Sequence, residues 1–435
     1  MKKTKKDSRF WLALVIFSLT GQVAWTIENM YFNVFIYKMF HASAAAISAM
    51  VAASAVAATV TTLFIGALSD RLGKRRLFIC GGYILWGITI WSFALLRTDV
   101  ISALLPGVAS AASVGVSLVI LMDCVMTFFG SSANDACFNA WLTDVTDESN
   151  RGAAEGINAM MPLVAVLVVF GGFMGFDLDK SESWVTIFTI IGAVVIAIGI
   201  LGFFLIREPA PKAREQRNYF ADIFYGFRPQ VIGRNRRLYA TFLAVAAFNI
   251  SIQVFMPYLI LYYSVTLQME NYVLIMAPAI ILAAVFTAFY GRVYDRAGFR
   301  KAVILPLVLL MGGYALLYFC KGTAMVFVGS LLMMCGNLSG GAIFGAMIRD
   351  NTPADRTGMF QGLRICAQVL IPGIVGPAIG AAVLRNAQTI DNDDGTSSFI
   401  PNANIFLAAF AAGLAIWLVL WWLLRMLKKE ENHAV

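Results

Sequence analysis

The stretch Gly66-Ala67-Leu68-Ser69-Asp70-Arg71-Leu72-Gly73-Lys74-Arg75-Arg76 returns 225 residues later as Gly291-Arg292-Val293-Tyr294-Asp295-Arg296-Ala297-Gly298-Phe299-Arg300-Lys301. Both copies read G-x-x-x-D-R-x-G and end in a basic cluster. Each falls where one apolar run stops and the next begins. A charged motif repeated at matching places in two halves of an apolar chain describes a duplicated membrane protein.

Composition agrees. Of 435 residues, 60% are hydrophobic and 13% charged, whereas a soluble domain is nearer half apolar and a quarter charged. The formal net charge of +8 does not point to nucleic acid, because the basic residues sit in short loops between apolar runs. Six cysteines (Cys80, Cys124, Cys137, Cys320, Cys335, Cys366) lie in or beside those runs at no metal-ligand spacing, and read as small hydrophobes. The two histidines, His41 and His433, occupy a loop and the tail. Neither a metal site nor a cofactor is expected, and no nucleophile or phosphate cradle marks an enzyme. The basic N-terminus before an apolar run imitates a signal peptide, but the run from Phe10 to Tyr37 is too long and reads as a retained spanning helix.

Runs long enough to cross a bilayer occur at 10–37, 44–68, 77–97, 117–142, 155–176 and 184–206. After a basic stretch they resume at 239–263, 271–291, 302–320, 323–347, 358–384 and 403–427. The expected fold is an all-α membrane protein of twelve helices, since backbone groups in lipid must be satisfied within each span. Residues 1–206 and 239–435 form two pseudo-symmetric six-helix bundles, and 207–238 is a central loop. The apolar region 98–117 contains Pro106 and reads as an outer loop or interfacial segment. With the N-terminus in the cytoplasm, 27 of the 33 Lys and Arg fall on that side and five on the other, with Arg364 inside a helix. Both termini are therefore expected to be cytoplasmic.

A second repeat joins the fourth helix of each half to its fifth: Asp144 with Arg151, Gly152 and Gly156, then Asp350 with Arg356, Gly358 and Gly362. Together with the paired G-x-x-x-D-R-x-G loops, this pattern resembles the major facilitator superfamily. The resemblance implies alternating access by rocking of two bundles, with the first, fourth, seventh and tenth helices around the substrate. It also implies a cytoplasmic gate at Gly66, Asp70, Arg71, Gly73, Asp144, Arg151, Asp295, Arg296, Asp350 and Arg356. A carboxylate there is favoured at a helix N-terminus by about 0.3–1 kcal/mol.

Charged groups inside spans are costly and mark function. Glu28 lies in the first helix among Gln22, Trp25 and Asn29, while Asp123 and Asp135 lie in the fourth with Asn134 and Asn139. Asn134, eleven residues from Asp123, should share its face, and Asp135 with Asn139 should form a second, offset stripe. The other half offers neutral groups, Asn249, Gln253 and Asn337, besides Arg364. Glu28, Asp123 and Asp135 are the candidate proton or cation sites. Gln22, Trp25, Asn29, Asn134, Asn139, Asn249, Gln253, Asn337 and Arg364 are the candidate substrate contacts. Trp25, Tyr31, Trp141, Tyr258, Tyr262 and Tyr263 are aromatic candidates, against the plainer reading that they pack helices.

Within the superfamily, Gly21-Gln22-Val23-Ala24-Trp25-Thr26-Ile27-Glu28 and Asn134-Asp135-Ala136-Cys137-Phe138-Asn139-Ala140-Trp141-Leu142-Thr143-Asp144 resemble the melibiose-type and sucrose-type sugar symporters. That resemblance implies a symporter for a small polar solute, a sugar or glycoside, and the protein is expected to be a monomer. Sodium-using members carry an acid in the second helix. None stands between Ala44 and Ser69 here, which favours the proton over sodium. The alternative is a proton-driven exporter of drugs or metabolites. Against it, the fourth helix lacks Arg, and the glycine-rich run Gly373–Gly380 lies in the eleventh helix, where small residues also serve close packing.

Overall fold

The computed structural model describes residues 8–107, 110–147, 150–207, 225–269, 271–352, 360–392 and 395–433, without the side chains of 70, 361 and 426–433. Arg356 lies outside the described residues, as does the side chain of Asp70.

Two compact units divide the chain, Met1–Gln216 and Arg217–Val435. The first holds α1 (Ser8–Phe40), α2 (Ala44–Leu72), α3 (Arg75–Leu95), α4 (Ala111–Val145), α5 (Arg151–Phe173) and α6 (Ser181–Leu205). The second holds α7 (Arg236–Thr266), α8 (Val273–Ala302), α9 (Ile304–Phe319), α10 (Thr323–Asn351), α11 (Gly362–Leu384) and α12 (Asn404–His433). Eleven of these helices are long and apolar enough to cross a membrane, and α9 is a shorter apolar helix. The break before α9 falls earlier than its first residue: Gly298, at φ 72° and ψ 170°, is non-helical, while Val303 keeps helical angles and bonds back to Phe299. Residues 299–319 thus form a nearly continuous segment of about 30 Å at 1.5 Å per residue. Large apolar side chains such as Leu121, Phe204, Phe289, Phe319 and Leu418 stand exposed, as lipid requires.

Three boundaries differ from the sequence expectation. Helix α4 starts at Ala111, inside the stretch read as a loop, because Ser110 caps it by accepting from the Ser113 N–H at 3.2 Å. The rest of that stretch includes a short helix, Thr98–Leu104. Helix α8 carries through the second copy of the motif up to Gly298. Between α11 and α12 sits one small antiparallel hairpin, β1 (Thr389–Asp391) with β2 (Ser397–Phe399), pairing Ile390 with Ser398.

In lipid, helices gain little from hydrophobic burial against each other, so close contact depends on small residues. In the first unit, a Cβ on Gly87 would stand 2.7 Å from the Gly192 carbonyl, and one on Gly192 2.8 Å from that of Gly87. In the second unit, Gly336 lies on the Leu310 backbone, and Gly376 and Gly380 lie on Gln253 and Val254. The glycine run of α11 is therefore a packing seam against α7.

Candidate functional site: a carboxylate and hydroxyl cluster in the first unit

Both D-R-x-G loops turn at their last glycine. Gly73 sits at φ 65° and Gly298 at φ 72°, a region that L side chains rarely adopt. In the first copy, Ser69 organises the turn. Its carbonyl accepts from Gly73 N at 2.9 Å, and its hydroxyl accepts from Arg75 Nη1 at 2.6 Å. Arg75 Nε then donates to Asp144 Oδ2 at 3.2 Å, tying the motif to the end of α4. Arg76 donates to the Phe203 carbonyl at the end of α6.

In the second unit the work is distributed differently. Arg300 donates to the Leu424 carbonyl of α12 at 3.2 Å, and Asp350 accepts from the Tyr294 hydroxyl. Arg71, Asp295 and Arg296 are exposed within their own units, Gly66 is half-buried, and Arg151 reaches the Thr146 carbonyl only at 3.5 Å.

Deeper in the first unit, α1 and α4 each depart from α-helical winding. Ile27–Tyr31 and Ser131–Phe138 are π-helical, with the i→i+5 bonding often found at functional sites. Glu28, Asn134 and Asp135 all lie on these segments. Glu28 is 7% exposed, and its Oε1 accepts from Ser54 Oγ of α2 at 2.6 Å and from Thr127 Oγ1 of α4 at 2.9 Å. The two hydroxyls stand 2.8 Å from each other, closing a triangle across three helices. Glu28 Oε2 has no partner among the described residues.

Asp123, one turn before Thr127, is 1% exposed with Oδ1 unpaired among the described residues, within electrostatic range of Glu28. Asp135, half-buried, accepts from Ser131 Oγ at 3.0 Å. Trp25 Nε1 faces the Asp135 carboxylate without meeting hydrogen-bond geometry, and its ring packs on Trp86 with centroids 5.0 Å apart. None of the hydrogen bonds or ion pairs to Glu28, Asp123 or Asp135 among the described residues comes from Lys, Arg or His.

The expected stripes on α4 are rearranged. Asn134, 3% exposed, turns toward α1 and α3: Tyr83 OH stands 3.2 Å from its Oδ1, and its amide fills the space a Cβ on Gly21 would take. Asp135 joins the Ser131 side instead. The wider turn of the π segment shifts the register that an ideal α-helix would give. Asn139 is exposed and donates to the Asp135 carbonyl, Asn29 is exposed and donates to the Trp25 carbonyl, and Gln22 is half-buried.

In the second unit, Asn249, Gln253 and Asn337 are half-buried, and no side-chain hydrogen bond joins them. Exposed Arg364 donates through Nε to Gln368 at 2.9 Å. Of the aromatic candidates, Tyr31, Trp141, Tyr258, Tyr262 and Tyr263 are 2% exposed or less and pack helices, whereas Trp25 keeps partial access. Sequence reasoning missed Ser54, Thr127, Ser131 and Tyr83. Hydroxyls are common in spans, and only their i, i+4 spacing to Asp123 and Asp135 distinguishes Thr127 and Ser131.

Solved structures share this fold. The nucleoside transporter NupG, solved as a single-site mutant, superposes with a TM-score of 0.72 at 13% identity, covering 95% of this chain and 99% of that one. A bacterial homolog of the human lysosomal transporter Spinster gives 0.67 at 15%, covering 96% of both. The D-xylose-proton symporter gives 0.69 at 12%, covering 95% and 97%. At these identities the likeness establishes the fold alone. No curated protein sequence matches significantly. The family model for the Major Facilitator Superfamily matches residues 10–344. The chain belongs to the Major Facilitator Superfamily: it is a multi-pass cell-membrane protein built as a secondary transporter and not as an enzyme.

Proposed function

We propose that the protein is a proton-coupled symporter of a neutral polar solute, a sugar or glycoside, working by alternating access. Both termini would be cytoplasmic. The bundles of residues 1–206 and 239–435 would act as the two moving halves, joined by 207–238. The gate would be the D-R-x-G loops, the Arg75–Asp144 pair included.

The observation that carries this reading is the triangle of oxygens around Glu28. The triangle of Glu28 Oε1, Ser54 Oγ and Thr127 Oγ1 has three oxygen contacts of 2.6, 2.9 and 2.8 Å. The two hydroxyls supply two protons. A third proton, on the carboxyl, satisfies all three edges as a closed ring. A buried, protonated carboxyl that loses its proton leaves one edge without a hydrogen bond and a bare charge at a cost of at least a few kcal/mol. Loading and unloading this site therefore changes how firmly α1, α2 and α4 are held together, which is what a coupling group must do.

The sugar reading rests on the Gln22 to Glu28 and Asn134 to Asp144 resemblances, and on the neutral groups Asn249, Gln253 and Asn337 of the second unit. Two of the similar structures are a nucleoside transporter and a D-xylose-proton symporter, whose solutes both bear a sugar ring. The test is uptake by proteoliposomes under an imposed proton or sodium gradient, against a panel of sugars, glycosides and nucleosides. Accumulation of a panel member driven by the proton gradient, and abolished in Glu28→Gln, is expected. Proton-driven accumulation that survives Glu28→Gln overturns Glu28 as the coupling group. Dye efflux with no sugar signal indicates an exporter instead.

A further inference from the structure

Just ahead of α7, the run Tyr225-Gly226-Phe227-Arg228-Pro229-Gln230-Val231-Ile232-Gly233-Arg234-Asn235-Arg236-Arg237 carries four arginines and no acid. Pro229 opens a short helix, Pro229–Arg234, and Asn235, at φ −120° and ψ 40°, separates it from α7. Six residues cannot hold a helix in water by themselves. The second unit supplies the support. The Tyr225 ring packs on Phe360 with centroids 6.0 Å apart, and Phe360 packs on Tyr239 of α7 at 6.4 Å. The Tyr239 hydroxyl donates to the Gly226 carbonyl, and Val231 is buried.

The rest of the segment faces outward. From Arg228 to Arg234 every residue except Val231 is exposed. Phe227 is 46% exposed and Ile232 40%. Arg228, Arg234 and Arg236 are exposed as well, and no carboxylate pairs with them among the described residues. Arg300, in the same unit, is by contrast committed to the Leu424 carbonyl.

We infer that Phe227–Arg236 is a docking surface for anionic phospholipid, with Arg228, Arg234 and Arg236 taking headgroup phosphates and Phe227 and Ile232 entering the acyl boundary. The inference goes beyond the proposed symport and does not depend on it.

Position and chemistry both favour this occupant. From Ile232 to Arg236 there are two helical steps and two that are at most extended, so Ile232 stands no more than about 10 Å from the start of α7. That keeps the segment at the surface of the bilayer that α7 enters. Basic residues beside apolar ones suit such a surface, because the apolar groups leave water while the cations meet phosphate. A soluble polyanion would satisfy the arginines and leave Phe227 and Ile232 in water. The aromatic contacts through Tyr225, Phe360 and Tyr239 fix the segment to the second unit, so a bound lipid would hold that end of the central stretch at the membrane.

The test uses the full chain, freed of lipid in detergent and titrated with phosphatidylglycerol or phosphatidylcholine, with bound lipid counted by native mass spectrometry. Phosphatidylglycerol should bind more tightly. Replacing Arg228, Arg234 and Arg236 together by Gln should weaken it about 10²-fold at low salt, on the scale of about five-fold per arginine, and leave phosphatidylcholine binding unchanged. The melting temperature should not move, since these side chains are exposed. Lys180→Gln, Lys321→Gln and Arg385→Gln together remove the same charge elsewhere and should leave phosphatidylglycerol binding intact. Phe227→Ser with Ile232→Ser should weaken it several-fold although every arginine remains. Unchanged binding in the arginine variant, or an equal loss in the charge-matched control, overturns the surface. Competition by inorganic phosphate, with no effect of the two serines, indicates a soluble anion and overturns the lipid assignment. Proton-driven uptake that survives Glu28→Gln fails the coupling reading alone and leaves this surface standing.

Discussion

Arg75 and Asp144 form an ion pair at 3.2 Å between the first D-R-x-G loop and the end of α4, with side chains 10% and 20% exposed. The two residues are 69 positions apart in sequence, so the pair holds the start of α3 and the end of α4 together. Arg75 also donates to Ser69, so its guanidinium is committed on two sides. Removing one partner strands a largely buried charge. Arg75→Ala and Asp144→Asn should each destabilise the first unit by about 1–3 kcal/mol, less than the roughly 3–5 kcal/mol of a fully buried pair. The double substitution should cost less than the sum. Thermal-inactivation midpoints of the four proteins measure the coupling, and strict additivity would mean that the pair contributes nothing.

The two motif glycines occupy different positive-φ regions, and this separates their tolerance. Gly73, at φ 65° and ψ 25°, lies in the left-handed helical region that Asn also visits. Gly298, at φ 72° and ψ 170°, lies where glycine alone is comfortable. Apart from its chain neighbours and local helix backbone, nothing among the described residues stands within 4 Å of a Cβ placed on Gly298, so the penalty there is conformational and not a packing clash. Gly73→Asn should cost a few tenths of a kcal/mol, and Gly298→Asn about 1–3 kcal/mol. Equal loss of thermal stability in the two variants would contradict the assignment.

How much was legible in the sequence follows from the kind of signal each feature leaves. Glu28, Asp123 and Asp135 announce themselves because an acid in an apolar run is rare, and the glycine turns follow from the motif's own spacing. Ser54, Thr127 and Ser131 leave no such mark, since hydroxyls can bond their own helix and are common in spans. The π segments are also silent in sequence, and they move Asn134 toward Tyr83 and Asp135 toward Ser131. Helix α4 starts earlier than its apolar run suggests because Ser110 caps a helix in a stretch that reads as small and featureless. Bulky rings such as Tyr262 and Tyr263 read as substrate platforms only until their packing is known.

Helix α10 offers an internal control for packing. A Cβ on Gly336 would stand 2.4 Å from Leu310 N and 2.6 Å from its Cα, and a backbone cannot move aside as a side-chain tip can. Gly341, five residues on, has nothing within 4 Å among the described residues. Gly336→Ala should destabilise the second unit by about 1–3 kcal/mol through forced separation of α9 and α10. Gly341→Ala should be neutral or stabilising by up to about 1 kcal/mol through helix propensity. Melting curves of the two variants test this, and a harmless Gly336→Ala would mean that the two helices are not in the close contact described.

Arg364 is the cation that α11 carries inside its span, and its geometry sets how it should respond to substitution. Its Nε is held by Gln368 Oε1 at 2.9 Å, four residues on, which leaves both terminal nitrogens without a hydrogen-bond partner among the described residues. A guanidinium fixed at Nε presents a planar, two-pronged donor to a solute, and a lysine ammonium cannot reproduce that fork. If Arg364 grips the hydroxyls of the proposed solute, Arg364→Lys should raise KM about 10-fold, about 1.4 kcal/mol of lost binding, with the maximal rate little changed. Gln368→Ala frees the guanidinium to swing and should raise KM by a smaller factor in the same direction. A fall in maximal rate at constant KM would instead place Arg364 in the conformational cycle, and no change in either would leave it a solvated charge near the membrane edge.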